Sequence, residues 1–300
     1  MSSRENPLGQ QRPDAPIKKF LRATVPRPVR NWLRSPSKSA RWMWDSVRFS
    51  FGSTEELQLA PDWSAICHPH VCKVIRQAQV GDPQQAEEFR CFLSHCSSGM
   101  FLFDIGAHFG VFSLAATHFG GRAVAVDPSP TATRMIQIQA ALNGCAASMQ
   151  IVRAAVSDVS GVMNLLDAGV FGDGFFKVTK GRSNRELTQS RAVTIDQMVS
   201  QFGVPTHIKV DVEGHEAAVL RGARNTLRNY SPLLFLELHT EMILSEAGDP
   251  NSSLDELSDL GYATFALNGE TIARSAILDQ PIIRIIATRA QAVGAVEMLR

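Results

Sequence analysis

No uninterrupted apolar run in this sequence approaches the ~20 residues a membrane-spanning helix needs, so no such helix is expected. The N-terminus lacks the apolar core of a secretory signal, because Pro13, Pro16, Pro26, Pro28 and many basic residues interrupt it; the expected location is the cytoplasm. Cysteine is scarce as well. Cys67, Cys72, Cys91, Cys96 and Cys145 are too few, and odd in number, for a disulfide framework in a chain of 300 residues, which leaves reduced thiols. Internal repeats and low-complexity tracts are absent, which excludes solenoid and fibrous classes.

What is present is an ordinary soluble composition, 44% apolar and 20% charged, in a length that suits one large α/β domain with an extension. Charge is divided unevenly. Residues 1–50 hold eleven Lys or Arg against Glu5, Asp14 and Asp45, an excess of eight positive charges, which leaves the other 250 residues near −7. This basic, Pro-containing arm reads as a flexible solvated tail, with contact to an anionic surface or acidic partner through its charges and Trp32, Trp42 and Trp44 as the alternative. Residues 51–97 read as a helical lead-in, with Val71, Val74, Ile75 and Ala78 at helical spacing and a turn at Gly81-Asp82-Pro83. Residues 98–300 then form the main domain.

In that domain short apolar runs alternate with helix-like stretches, the pattern of buried parallel strands with crossover helices. Strands are expected at Met100–Asp104, Ala123–Asp127, Gln150–Arg153, His207–Asp211, Leu233–Leu238, Tyr262–Leu267 and Ile282–Thr288. Helices are expected at Val111–His118, Pro130–Asn143, Ile195–Phe202, Glu213–Leu227 and Leu254–Leu260. The fold class is α/β: a doubly wound, mostly parallel, seven-stranded Rossmann-like sheet with an N-terminal helical extension.

Where the first strand turns into a helix, Asp104-Ile-Gly106-Ala107-His108-Phe-Gly110 sets two glycines four apart. Glycine tolerates positive φ and leaves backbone open to close approach, and the following helix offers unpaired N–H groups. The next strand ends in Asp127-Pro128, 21 residues after Gly106, where a carboxylate can accept both ribose hydroxyls of an adenosine. Asp127 as a plain helix cap before Ser129 and Pro130 is the alternative. NAD is the runner-up ligand, because the G-x-G-x-x-G spacing of dinucleotide enzymes is missing. Asp158 follows the third strand, where it either receives an adenine amino group or closes a turn with Gly161.

The most unusual segment is His207-Ile-Lys209-Val-Asp211-Val-Glu213-Gly-His215. Alternation puts His207, Lys209 and Asp211 on one face of a strand expected to be buried, costly unless those groups are paired or used. The neighbouring run ends in Glu237-Leu-His239, at the same sheet edge. Purely structural roles, Lys209–Asp211 as an ion pair and Glu213 at a helix start, are the competing account.

Taken in order, FDIGAHFGVFS, VAVDPSP, AAVSDVSG, VTIDQM, HIKVDVEGHEAAVLRGA and LLFLELH, over Phe101 to His239, resemble the FkbM-type methyltransferases of the class I S-adenosylmethionine-dependent fold. The resemblance implies that Asp104, Gly106, Ala107, His108, Gly110, Asp127, Pro128 and Asp158 form the cofactor pocket. It further implies that Lys209, Asp211 and Glu213 face the acceptor; Glu237 and His239 join them as candidates by their place at the same sheet edge. Asp127 stands where the family often has Glu, and His108 where Asn is common.

The expected reaction is transfer of the methyl group of S-adenosylmethionine to a hydroxyl of a small molecule, sugar or polyketide. Asp211 is the first candidate for general base, with Glu237, His239 and His215 behind it. A divalent metal held by Asp211, Glu213, Glu237 and His239 is a less favoured variant, as no tight ligand motif marks it. Zinc at Cys67, His68, His70, Cys72, Cys91, His95 and Cys96 is disfavoured by their spacing. Two rival readings are a non-catalytic partner protein on the same fold and a nucleic-acid methyltransferase that uses the basic arm.

Overall fold

The computed structural model describes residues 52–167, 176–178 and 187–289; the basic arm lies outside these residues. An antiparallel hairpin opens them, β1 (Glu55–Ala60) and β2 (Trp63–Cys67), followed by helices α1 (Pro69–Gly81) and α2 (Pro83–His95). The lead-in is therefore only partly helical. Leu57 and Leu59 on β1 and Trp63, Ala65 and Cys67 on β2 are buried in alternation with exposed neighbours, a period of two that the helical expectation overlooked. Asp82 separates the two helices and caps α2 by accepting the Gln85 N–H at 3.1 Å, with Pro83 at the first helical position.

The main domain follows with β3 (Phe101–Ile105), α3 (Val111–His118), β4 (Arg122–Asp127), α4 (Pro130–Leu142) and β5 (Met149–Arg153). A small sheet comes next, made by β6 (Ala155–Val156), β7 (Gly161–Asp167), β8 (Phe176–Val178) and β9 (Leu187–Val193) in the order β6-β9-β7-β8. After α5 (Ile195–Phe202) come β10 (His207–Val210), α6 (Glu216–Arg221), α7 (Arg224–Tyr230), β11 (Leu233–Leu238), α8 (Thr240–Ser245), α9 (Asn251–Asp259), β12 (Tyr262–Phe265), α10 (Arg274–Leu278) and β13 (Ile283–Arg289). The long helix expected over Glu213–Leu227 is broken. A Cβ on Gly222 would stand 2.1 Å from the Ser157 carbonyl oxygen, and the Gly222 carbonyl accepts the Asp196 N–H instead of continuing a helix.

The central sheet has seven strands in the order β12-β13-β11-β10-β3-β4-β5, with β13 antiparallel to both of its neighbours and the other pairs parallel. The chain leaves β3 towards β4 and β5, then returns to lay β10 and β11 on its other side. That reversal opens a crevice at the carboxyl ends of β3 and β10, the place where such sheets bind ligands. Each face carries its own apolar layer. Leu102, Ala125, Phe235 and Ile286 pack with Phe92 of α2 and Leu114 of α3, while Phe103, Ile208, Val210 and Leu236 pack with Ile195, Val219 and Leu257. No helix among the described residues is long and apolar enough to cross a membrane.

Candidate functional site

At the carboxyl end of β3, Gly106 adopts φ +79, and a Cβ there would fall 1.7 Å from the Asp211 carbonyl oxygen. The close approach expected of a ligand is thus made first by the backbone following β10. Gly106 and Ala107 donate their N–H groups to the Val126 carbonyl at 2.9 and 3.0 Å, which pins the loop to β4. His108 is left-handed, at φ 51, and its N–H reaches Asp127 Oδ2 at 2.9 Å. Asp127 Oδ1 accepts the Ser129 N–H at 2.8 Å, so each oxygen holds one donor and keeps a lone pair.

A cavity of about 390 Å³ opens here, within the usual range for small-molecule sites. Gly106, His108, Asp127 and Pro128 border it on one side, with Ala154, Ala155 and Val156 beyond them. Asp104, Ala107 and Gly110 are not in its wall. Asp104 is buried behind it and accepts the Ser113 N–H and hydroxyl at 3.2 and 2.7 Å, fixing the first turn of α3. Gly110 lies against Ile136. Asp158 is also outside the wall, exposed and paired with Arg221 at 3.1 Å.

Asp211, Glu213, Glu237 and His239 border the other half of the cavity, so four of the five residues expected to face the acceptor converge there. Lys209, the fifth, lies beneath. Its ammonium is 3.3 Å from Asp211 Oδ2, 3.9 Å from Glu88 Oε1 and 4.6 Å from the centroid of the Phe112 ring. His239 Nδ1 is 2.8 Å from Glu216 Oε1, which directs Nε2 towards Glu213, Glu237 and Asp211 at 3.5, 3.6 and 3.9 Å. Arg284 spans both Glu237 oxygens at 2.7 and 3.2 Å and also reaches Asp82 at 3.0 Å and Glu88 at 3.4 Å. Glu213 sits at φ 54, a conformation that costs a non-glycine residue energy and clusters at functional sites. His215 also borders the cavity, with Nε2 2.9 Å from Ser157 Oγ.

Burial governs most of the ionisation. It pushes Asp127 up to about 7 against the pull of the Ser129 and His108 N–H groups, and it lowers His108 to about 4. Burial also acts to raise Asp211, but the charges of Lys209 and His239 outweigh it and hold this carboxyl below its usual range. Glu237 is raised to about 8 by burial and by the Asp211 charge. Burial disfavours the His239 cation, yet the Glu216 hydrogen bond and charge carry it up to about 9.

Several wall residues escaped the sequence reading. Val74, Ile75 and Ala78 of α1 and Gln85 of α2 line the cavity, with Met242, Ile282 and Arg284. Arg284 did leave a signal, a lone charge inside Ile282-Ile-Arg-Ile-Ile286. The helical lead-in carried none, since an apolar stripe on a helix faces a cavity or a core with equal ease. Among the described residues, Asp211, Glu237 and His239 are the group whose donor atoms lie close enough together to share a metal ion; the cysteines and histidines of the lead-in make no such group.

A doubly wound sheet whose switch-point crevice joins a glycine turn to an acidic strand end is the architecture that binds nucleotide-containing ligands. Residues 104–263 match the family model of the FkbM methyltransferase domain, and the chain belongs to this family of S-adenosylmethionine-dependent methyltransferases. Among solved structures, it is similar to an FkbM methyltransferase from Methylobacillus flagellatus KT, at 13% identity and TM-score 0.43 over 73% of this chain and 53% of that one. It is also similar to an O-methyltransferase from Bacillus cereus solved with SAH, at 11% identity and TM-score 0.42 over 73% and 89% of the two chains. A precorrin-6y C5,15-methyltransferase from Geobacter metallireducens GS-15 gives 13% identity and TM-score 0.40 over 68% and 87%. No curated protein matches the chain.

Proposed function

We propose that this methyltransferase acts on oxygen, methylating a hydroxyl of a small molecule, sugar or polyketide in the cytoplasm. The observation that carries the reading is the meeting of Asp211, Glu213, Glu237 and His239 in the same cavity that Gly106, His108 and Asp127 border. The cofactor fits the other half: Asp127 keeps lone pairs for ribose hydroxyls, and Pro128, Ala154 and Val156 offer an apolar bed for a flat base. When bound, S-adenosylmethionine supplies a methyl group on a positively charged sulfur, activated for in-line displacement.

The chain then has to align the acceptor, exclude water and receive one proton. Asp211 is suited to take that proton, because Lys209 keeps its carboxylate ionised and the group borders the cavity. Glu237 is engaged by Arg284, and His239 is held protonated by Glu216, so both are poorer acceptors near neutral pH. Lys209 acts through Asp211 as a positioning residue. The walls from α1, α2 and the loop before β13 hold the acceptor.

Calorimetric titration of S-adenosylmethionine, and separately NAD, into the wild type, Asp127→Ala and Asp211→Ala tests this reading. Binding of S-adenosylmethionine that is lost in Asp127→Ala and kept in Asp211→Ala supports it, and a panel of hydroxylated acceptors then follows methyl transfer. Binding of NAD instead, or of neither ligand to folded protein, overturns it.

A further inference from the structure

Asp211, Glu237 and His239 come from the ends of two adjacent parallel strands, β10 and β11, and Glu213 follows two residues after Asp211. Their facing atoms are spaced unlike hydrogen-bonded pairs. His239 Nε2 lies 3.5 Å from Glu213 Oε2, 3.6 Å from Glu237 Oε1 and 3.9 Å from Asp211 Oδ1. Charge-assisted hydrogen bonds close to ~2.7–2.9 Å. By contrast, two donors each about 2.1 Å from one cation stand about 3.0 Å apart at a right angle and about 3.4 Å apart in a tetrahedron.

A second observation comes from the imidazole itself. His239 is only 2% exposed, and its other nitrogen is fixed at 2.8 Å by Glu216 Oε1, itself fully buried. That carboxylate–imidazole pair orients metal-bound histidines and sets which nitrogen faces the ion. The charge balance agrees. Six carboxyl groups, those of Asp211, Glu213, Glu216, Glu237, Asp104 and Glu88, surround the two permanent cations Lys209 and Arg284, and a bound dication takes the place of the protons that burial otherwise keeps on Glu237 and the Glu216 hydrogen bond on His239. Lys209 engages Asp211 through Oδ2, so Oδ1 remains turned to the cluster, while the Arg284 hydrogen bonds leave each Glu237 oxygen a further lone pair.

We propose that Asp211 Oδ1, Glu237 Oε1 and His239 Nε2 bind one divalent transition-metal cation, with its open positions facing the cavity. Two carboxylates and an imidazole suit manganese, iron(II) or zinc better than calcium or magnesium, which prefer oxygen donors throughout. The geometry stands by itself, while the role rests on the oxygen-methylation reading above. An acceptor hydroxyl on the cation gives its proton to Glu213, which borders the same cavity. The freed oxygen then forms its bond to the methyl carbon as the carbon–sulfur bond breaks, the electron pair passing to sulfur. Asp211 in this refinement is a ligand and Glu213 the base.

The test uses the full chain, stripped with a chelator and titrated with Mn²⁺ while free Mn²⁺ is followed by electron paramagnetic resonance. S-adenosylmethionine binding is measured on the same samples by calorimetry. The expected result is one Mn²⁺ per chain, with affinity reduced at least tenfold in Asp211→Asn and in Glu237→Gln and unchanged in the hairpin-turn variant Asp62→Asn. Thermal unfolding checks that each variant is folded, and His239→Gln, which removes the third ligand, serves if one of the two is not. Stoichiometric binding that ignores all three site substitutions, or no binding below millimolar Mn²⁺, overturns the metal site. S-adenosylmethionine binding in that case leaves the methyltransferase reading intact, whereas Mn²⁺ bound without any S-adenosylmethionine binding would sink that reading alone.

Discussion

Replacing Lys209 with Met tests whether this lysine holds the site together or takes part in the chemistry. Its ammonium is the shared partner of Asp211 and Glu88 and rests over the Phe112 ring, in a residue only 3% exposed. Methionine keeps the length and apolar contacts of the stem but leaves buried Glu88 and half-buried Asp211 without that cation. Removing one member of a buried pair costs about 3–5 kcal/mol, and loss of the cation–π contact adds about 0.5–2 kcal/mol. Because Arg284 still reaches Glu88 at 3.4 Å, part of the penalty is relieved, and we expect a net loss near the lower end, about 3 kcal/mol. The assay is urea unfolding followed by far-ultraviolet circular dichroism, extrapolated to water. Adding Glu88→Gln removes one stranded charge, so the double variant should recover at least ~1 kcal/mol relative to additivity. A loss under about 1 kcal/mol for Lys209→Met, or strict additivity in the cycle, would refute the buried network as the reason for this lysine.

Gly106→Ala should cost roughly 2–5 kcal/mol in thermal or urea unfolding, from the left-handed backbone and the overlap with the Asp211 carbonyl, and should weaken S-adenosylmethionine binding as well. An acid with a raised folded value, such as Asp127 near 7, gives stability that is full below its unfolded value and lost as pH rises through about 7. Asp127→Asn should therefore flatten the fall in stability between pH 5 and pH 8, and in the wild type cofactor affinity should rise over the same interval; calorimetry at both pH values checks the second part. Asp158→Ala should lose less than about 1 kcal/mol, as a partly exposed pair with Arg221, and should leave S-adenosylmethionine affinity unchanged in the same titration. Ile75→Trp, which fills the α1 wall, should raise acceptor KM at least tenfold in a methyl-transfer assay while cofactor affinity stays as it was.

The central sheet was legible because most of its strands are short, largely apolar runs bounded by polar or glycine residues, and all seven expected strands lie in it. The convergence of Asp211, Glu213, Glu237 and His239 was legible for a related reason: ionisable groups at the ends of buried strands have few structural excuses. The β1–β2 hairpin and the sheet of β6 to β9 were harder, because their strands mix polar and apolar residues and follow no crossover pattern. Asp104 and Asp158 show a different limit. Both stand at a strand end in sequence, but one turns inward to Ser113 and the other outward to Arg221, and side-chain direction at a strand end is set by packed neighbours that the local pattern does not name. Glu88 and Glu216 gave no sign, since a glutamate on a helix reads as solvated until something packs over it.

Val74, Ile75, Ala78 and Gln85 precede residues 104–263, and Ile282 and Arg284 follow them. Much of the cavity wall, which on the proposed function receives the acceptor, is therefore assembled from outside the stretch that matches the family model. On that proposal acceptor choice is separable from methyl donation, and a chimera that exchanges residues 52–97 between two such enzymes should exchange their acceptors too. The graft has one condition. Arg284 clasps Asp82 and Glu88 across the junction, so a transplanted segment must bring carboxylates to those two positions or be moved together with the strand that carries its arginine.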